Sequence, residues 1–233
     1  SPALARFSWP RWSPDGRTFL VTGRDTKGRF GLHLVDVHTG AATLAVLLEP
    51  QTYFPLAVWS PDGKAIFYTK IEGKDFEDRR LLMRDLETGR ERGLYRGHAG
   101  FMAVSPNGQW VVFRAREQAG RVATLLLLPT TGGQPRELVR VVAPDDIPLD
   151  TLAWTPNGNY VLFGKADRDE SQGVSLWRVP AQGGKPQPLG LSMEGLTNLR
   201  LHPDGRRVAF TAGRNKNEVW VLENFLPALK AGK

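Results

Sequence analysis

The residues of this chain that could do chemistry are few, and they are best weighed first. Asp167-Arg168-Asp169-Glu170-Ser171 puts oxygen side chains at alternate positions, the spacing by which calcium loops converge on one hard cation. Asp167, Asp169 and Ser171 are the candidate metal ligands. Gly173 falls one place later than such a loop needs, and Arg178 stands where its closing acid belongs. Asp145 and Asp146, with Asp150 nearby, form the acidic pair expected of general acid–base work. Pro144 and Pro148 flank the pair, which favours an ordinary polar loop over an acid–base pair. The four histidines, His33, His38, His98 and His202, are scattered with no metal-ligand spacing. The chain has no cysteine, which excludes thiolate metal sites, disulfides and thiol catalysis together. It has no Gly-x-Ser-x-Gly elbow, no phosphate-binding loop and no cofactor motif.

A basic set is more regular. Arg24, Lys70, Arg116, Lys165 and Arg214 recur at similar depth in five charged stretches, 23–31, 70–80, 115–121, 165–173 and 212–217. Asp25, Glu72, Glu117 and Asp167 accompany them. Such a set is either a solvated rim or a polar face that docks a protein segment or a small acidic ligand. The chain carries 31 basic and 24 acidic residues, a formal charge of +7. The signs are interleaved rather than blocked, and the aromatic residues sit in strand-like runs. Both features argue against a nucleic-acid groove, which needs aromatic platforms inside continuous basic surface.

These stretches must be positioned by repeating elements. A tetrapeptide recurs five times: Ser13-Pro14-Asp15-Gly16, Ser60-Pro61-Asp62-Gly63, Ser105-Pro106-Asn107-Gly108, Thr155-Pro156-Asn157-Gly158 and His202-Pro203-Asp204-Gly205. Its starts lie 47, 45, 50 and 47 residues apart. Proline at the second place presets φ for a type I turn, Asp or Asn bonds nearby backbone, and glycine accepts positive φ. The motif therefore reads as the corner of a tight hairpin. An apolar residue precedes each corner (Trp12, Trp59, Val104, Trp154, Leu201), and β-branched and aromatic runs follow it. Trp12, Trp59 and Trp154 are expected to pack between neighbouring repeats. Two further strands complete each unit, closed by turns at Thr39-Gly40, Thr88-Gly89, Gly132-Gly133 and Gly183-Gly184. Four antiparallel strands in about 47 residues, repeated, predict an all-β propeller of five four-stranded blades. The approximate blades are 1–51, 52–97, 98–147, 148–193 and 194–233 of a single domain.

With its Ser-Pro-Asp-Gly corners the chain resembles the TolB-like group of β-propellers, whose blades are WD40-like. The resemblance covers essentially the whole chain and carries the fold, not a function. Because propellers of this group commonly have six blades, it leaves a second expectation, that the chain is part of a six-bladed ring. It also implies a periplasmic or extracytoplasmic location. The fifth repeat has doubtful material for its fourth strand, since Pro227 interrupts the stretch after Leu222. An incomplete last blade leaves an open edge, and self-association through that edge is expected. The chain has no apolar run long enough for a membrane-spanning helix, and no signal peptide is visible from Ser1 to Pro14.

The leading functional expectation is a non-catalytic protein- or ligand-binding module that uses its unequal charged loops. The alternatives are an enzyme with an axial site, a lyase or hydrolase assembled from several blades with or without a metal, and the sensor portion of a longer signalling protein.

Overall fold

The computed structural model describes residues 4–48, 56–72, 78–117, 120–166, 173–202, 204–213 and 218–223. The fold is all-β: five antiparallel sheets follow one another in chain order, as in a β-propeller. The first holds β1 (Leu4–Trp12), β2 (Thr18–Asp25), β3 (Phe30–Asp36) and β4 (Ala42–Leu47). The second holds β5 (Ala57–Trp59), β6 (Ala65–Glu72), β7 (Asp78–Asp85) and β8 (Glu91–Arg96). The third holds β9 (Ala99–Val104), β10 (Trp110–Glu117), β11 (Val122–Pro129) and β12 (Arg136–Val142). The fourth holds β13 (Ala153–Trp154), β14 (Tyr160–Ala166), β15 (Val174–Pro180) and β16 (Gln187–Met193). The fifth has three strands among the described residues, β17 (Thr197–Leu201), β18 (Arg207–Ala212) and β19 (Glu218–Glu223). Residues 224–233, where a fourth strand was in question, lie outside the described residues. Within every sheet the strands pair in sequence order.

The repeated corner forms as its chemistry dictates. Gly63 N–H donates to the Ser60 carbonyl at 3.0 Å, and Gly63 takes φ +71°. The Ser60 hydroxyl donates to Asp62 Oδ1 (2.6 Å) while its oxygen accepts from Ala65 N–H (2.9 Å). Asp62 Oδ1 also accepts from Lys64 N–H at 3.0 Å. The same bonds recur at Ser13–Asp15, Ser105–Asn107 and Thr155–Asn157. Only Oδ1 is needed in this pattern, which explains why Asn replaces Asp in two repeats. In the fifth corner His202 substitutes for the hydroxyl, and its Nδ1 accepts from Asp204 N–H at 3.2 Å.

The chain divides into two compact units, Ser1–Val111 with Leu128–Pro135, and Val112–Leu127 with Arg136–Lys233. In the first, Leu20, Leu32, Val46 and Leu48 of one sheet pack on Ile66, Tyr68 and Leu82 of the next. Trp59 Nε1 bonds the Arg11 carbonyl across this junction (3.1 Å). In the second, Ala153, Leu162, Val174 and Leu176 pack on Leu196, Leu199, Val208, Phe210 and Ala212. Leu20 and Leu162 share one place in the repeat, seven residues after its first; Ile66 and Val208 share another, six residues after. In both of these junctions one face of a sheet thus meets the opposite face of the following one. Each fully buried Leu or Ile contributes about 1.5–3 kcal/mol relative to exposure.

Two expectations need correction. The basic residues assigned to loops lie in strands: Arg24 pairs with Phe30, Lys70 with Arg80, and Lys165 with Ser175, while Arg116 lies in β10. The central hairpins therefore continue their strand pairing through these positions. Of the three repeat tryptophans, Trp154 is buried and Trp59 half-buried, but Trp12 is 57% exposed. Its ring rests on Phe19 of its own sheet, with centroids 4.0 Å apart.

Candidate functional site

The densest polar cluster among the described residues lies in the second unit, around the connection from β12 to β13. Two backbone bonds fix that connection to the end of β14: Asp146 N–H donates to the Ala166 carbonyl (3.0 Å) and Ala166 N–H to that of Asp146 (2.9 Å). The Asp146 side chain is thereby set beside the ends of two central strands. Asp146 Oδ1 accepts from Arg114 Nη2 (3.0 Å) and Ile147 N–H (2.8 Å). Oδ2 accepts from Arg114 Nη2 (3.1 Å) and Arg116 Nη2 (2.5 Å). An ionised carboxylate has about four acceptor positions, and here three donors, Arg114 Nη2, Ile147 N–H and Arg116 Nη2, converge on them.

The neighbouring acids are held in the same way. Asp145 Oδ2 meets Lys165 Nζ at 2.8 Å, and that ammonium also lies 5.7 Å from the centre of the Trp177 ring. Asp150, at φ 55°, takes a bidentate pair from Arg200, Nη1 to Oδ1 at 3.0 Å and Nη2 to Oδ2 at 2.9 Å. The Asp150 carbonyl accepts Leu199 N–H at 2.9 Å, so backbone and side chain both bind this turn to β17. Among the described residues four cations face three carboxylates in this cluster.

Arg114 is its buried member. Its side chain is 3% exposed, and its Nε has no hydrogen-bond partner among the described residues. Burial pulls its pKa down from the usual arginine value, and Asp146 opposes that shift; an arginine nevertheless stays charged. Arg116 and Lys165 keep 29% and 25% of their side-chain surface in solvent. The edge of the cluster therefore presents both signs: Arg200 is 40% exposed, and the Asp146 and Asp145 side chains are 37% and 33% exposed.

The structure brings Arg116 and Lys165 to adjacent carboxylates, a juxtaposition of two predicted site residues. Arg24 and Lys70 belong to the other unit; Arg24 donates to the Gly28 carbonyl (2.8 Å) and lies over Phe30. Arg214, Asp167, Asp169 and Ser171 lie outside the described residues. The acidic pair is ion-paired rather than arranged as an acid and a base. Sequence reading missed Arg114 and Arg200. A signal for Arg114 existed: nine residues into the repeat the other copies carry Thr22, Thr69, Gly164 and Thr211, so an arginine there breaks the pattern.

Among the described residues, no group of three or more His, Asp or Glu could hold a metal ion. His33 is buried, with its Nε2 unpartnered, and burial lowers its pKa from 6.5. His202 lies at a corner beside Asp204 (3.0 Å). The carboxyl of Asp204 is lowered to about 2, first by Arg206 N–H and then by the Arg207 and His202 side chains. In the first unit a groove of about 680 Å³ runs between two corners, past Asp15, Asp36, Trp59 and Asp62. Each of its three carboxylates bonds its own turn.

No protein-family model matches the chain. It is 27% identical over 157 residues to an uncharacterized peptidase, YuxL, of Bacillus subtilis, covering 66% of this chain and 21% of that protein. It is 24% identical over 217 residues to the uncharacterized protein Atu1656 of Agrobacterium fabrum, covering 87% of this chain and 65% of that protein. Among solved structures it resembles TolB from Acinetobacter baumannii, with TM-score 0.72, 16% identity, and 94% and 52% of the two chains covered. It resembles an oligogalacturonate lyase from Vibrio parahaemolyticus with TM-score 0.67, 15% identity, and 92% and 62% coverage. It also resembles the β-propeller domain of the Trilobed protease from Pyrococcus furiosus, which has an open velcro topology, with TM-score 0.64, 14% identity, and 94% and 69% coverage. The chain has the β-propeller fold of TolB-like proteins, and it spans less than two thirds of the length of both curated relatives.

Proposed function

We propose that this TolB-like propeller is a non-catalytic binding module that takes an acidic protein segment or a small acidic ligand beside Arg116 and Lys165. The observation that carries this reading is the placing of Arg116 and Lys165 on the adjacent carboxylates of Asp146 and Asp145. Asp146 and Asp145 hold these two partly exposed cations in place, and a preorganised cation loses less freedom on meeting an acidic partner than a mobile one. The chain's formal charge of +7 has the sign that such a partner needs.

The test is a binding titration with a fluorescent glutamate-rich peptide and its glutamine-rich counterpart as probes. At low salt the acidic peptide should bind at least about tenfold more tightly, a difference near 1.4 kcal/mol. The double change Arg116→Glu with Lys165→Glu should abolish that preference, while Arg24→Glu in the other unit should leave it. Equal affinity for the two peptides, or an unchanged preference in the double variant, would sink the reading.

A second reading rests on the peptidase relative, of which this chain spans 21%. In it the propeller is the binding part of a longer hydrolase whose catalytic residues lie outside this chain. Assay of the full-length protein for peptide hydrolysis, with and without the double change, separates the two readings.

A further inference from the structure

Two grooves of the first unit occupy the same place in successive repeats. The first, of about 680 Å³, runs past Asp15, Asp36, Trp59, Asp62 and Leu86. The second, of about 630 Å³, runs past Asp62, Asp85, Asn107 and Thr130. Leu86 and Thr130 are equivalent: their N–H groups donate to the carbonyls of Lys64 and Gln109, each the fifth residue of its repeat. The grooves differ at one place on the last strand of the sheet. Leu34 pairs with Thr43 in β4, where Met83 pairs with Arg92 in β8 and Leu127 with Arg136 in β12.

The two arginines make the same bond. Arg92 Nη2 donates to the Thr130 carbonyl at 2.5 Å. In the second unit Arg136 Nη2 donates to the Ala181 carbonyl at 2.6 Å, and Ala181 holds the place of Thr130, its N–H bonded to the Asn159 carbonyl. At both positions a guanidinium ties a last strand to the following sheet. Thr43 has no such group, and among the described residues no side chain donates to the Leu86 carbonyl.

Charge changes with it. Lys64 and Arg92 line the second groove beside Asp62 and Asp85. Among the described residues, the first is lined by three carboxylates and no basic side chain. Each of the three bonds its own turn through Oδ1, so its second oxygen can accept from a partner. Bonds from Ser13, Thr39 and Ser60 hold Asp15, Asp36 and Asp62 below the usual aspartate pKa, and all three are charged at neutral pH. Trp59 lines this groove, whereas the next repeat has Val104 at its place. An aromatic side chain beside carboxylates suits a guanidinium better than an ammonium.

We propose that the groove past Asp15, Asp36 and Asp62 docks an arginine side chain of a protein partner, which donates to the Leu86 carbonyl as Arg92 does to that of Thr130. The carboxylates supply the opposite charge. A cavity of this size takes an organic group rather than a bare cation. A free amino acid would bring its own carboxylate toward three others, so peptide-borne arginine is the occupant. The site lies in the unit that does not contain Arg116 and Lys165, and it does not rest on the acidic-ligand reading.

The experiment titrates the ¹⁵N-labelled chain at low salt with capped Gly-Arg-Gly, Gly-Lys-Gly and Gly-citrulline-Gly peptides. The arginine peptide should shift the amide resonances of Gly63 and Leu86 saturably, with Kd of about 1 mM. The lysine peptide should bind at least about fivefold more weakly, and the uncharged citrulline peptide should not saturate. Thr43→Arg supplies the guanidinium from within; it should abolish the shifts and leave Tm within about 2 °C of the parent or higher. Asp15→Asn with Asp62→Asn keeps the turn oxygens, as Asn107 does, and should weaken binding about tenfold. No saturation up to about 20 mM arginine peptide would overturn the proposal. Equal affinity for the arginine and lysine peptides, or shifts that persist in Thr43→Arg, would do the same. Tighter binding of free arginine than of its peptide would also overturn it and assign the groove to a small molecule.

Discussion

Arg114 and Asp146 are 32 residues apart in sequence, yet one guanidinium nitrogen of Arg114 lies 3.0 and 3.1 Å from the two carboxylate oxygens of Asp146. Arg114 is buried at its strand position, so Asp146 is the group that makes a charge tolerable there. Removing the carboxylate strands that charge. Asp146→Ala should cost about 2 kcal/mol in urea unfolding, less than a fully buried pair because the Asp146 side chain is 37% exposed. Arg114→Met removes charge and need together and should change stability by less than about 1 kcal/mol. If Asp146→Ala unfolds at the wild-type midpoint, the connection is not anchored by this pair.

The corner chemistry predicts unequal effects within one motif. Ser60→Ala removes the acceptor for Ala65 N–H in a buried setting and should cost about 1–2 kcal/mol. Asn107→Asp keeps the one oxygen that accepts Gln109 N–H and the Ser105 hydroxyl, so it should remain within about 0.5 kcal/mol of the parent. Thermal unfolding of the two variants would check the contrast.

Two strand glycines should respond oppositely to alanine. A methyl group at Gly31 would lie 2.0 Å from the Val46 carbonyl oxygen, whereas Gly93 has open space. Gly31→Ala must push β3 from β4 and should cost about 3 kcal/mol or prevent folding. Gly93→Ala should be neutral or stabilise by up to about 1 kcal/mol by restricting the unfolded chain. Equal expression and Tm for both would refute the close approach at Gly31.

His33 predicts a pH dependence. Burial lowers its folded pKa below 6.5, against the pull of Asp25. The unfolded chain therefore binds a proton that the folded chain refuses, and stability rises with pH in that range. The contribution is complete above about pH 6.5 and is lost as the pH falls below it, with a slope of at most about 1.4 kcal/mol per pH unit. Urea midpoints between pH 7.5 and 5 should fall in the parent and flatten in His33→Leu. Parallel curves would remove His33 from the account.

The repeat was legible because its chemistry is local. A serine, a proline, an aspartate and a glycine in succession specify one turn whatever surrounds them, and the apolar alternation on either side specifies the strands. Fold class, strand order and the structural role of Asp15, Asp62 and Asp204 follow from neighbours a few residues apart. The convergence of Arg114, Arg116 and Lys165 on Asp145 and Asp146 does not. Those partners are 20 to 32 residues apart, and no local rule states which cation meets which acid; the backbone rung between Asp146 and Ala166 decides it. The exposure of Trp12, against the burial of Trp154 at the same place in the repeat, was likewise set by what each face meets. Turn chemistry is a property of adjacent residues, whereas ion pairing and burial depend on which distant segments the fold brings within a few ångströms.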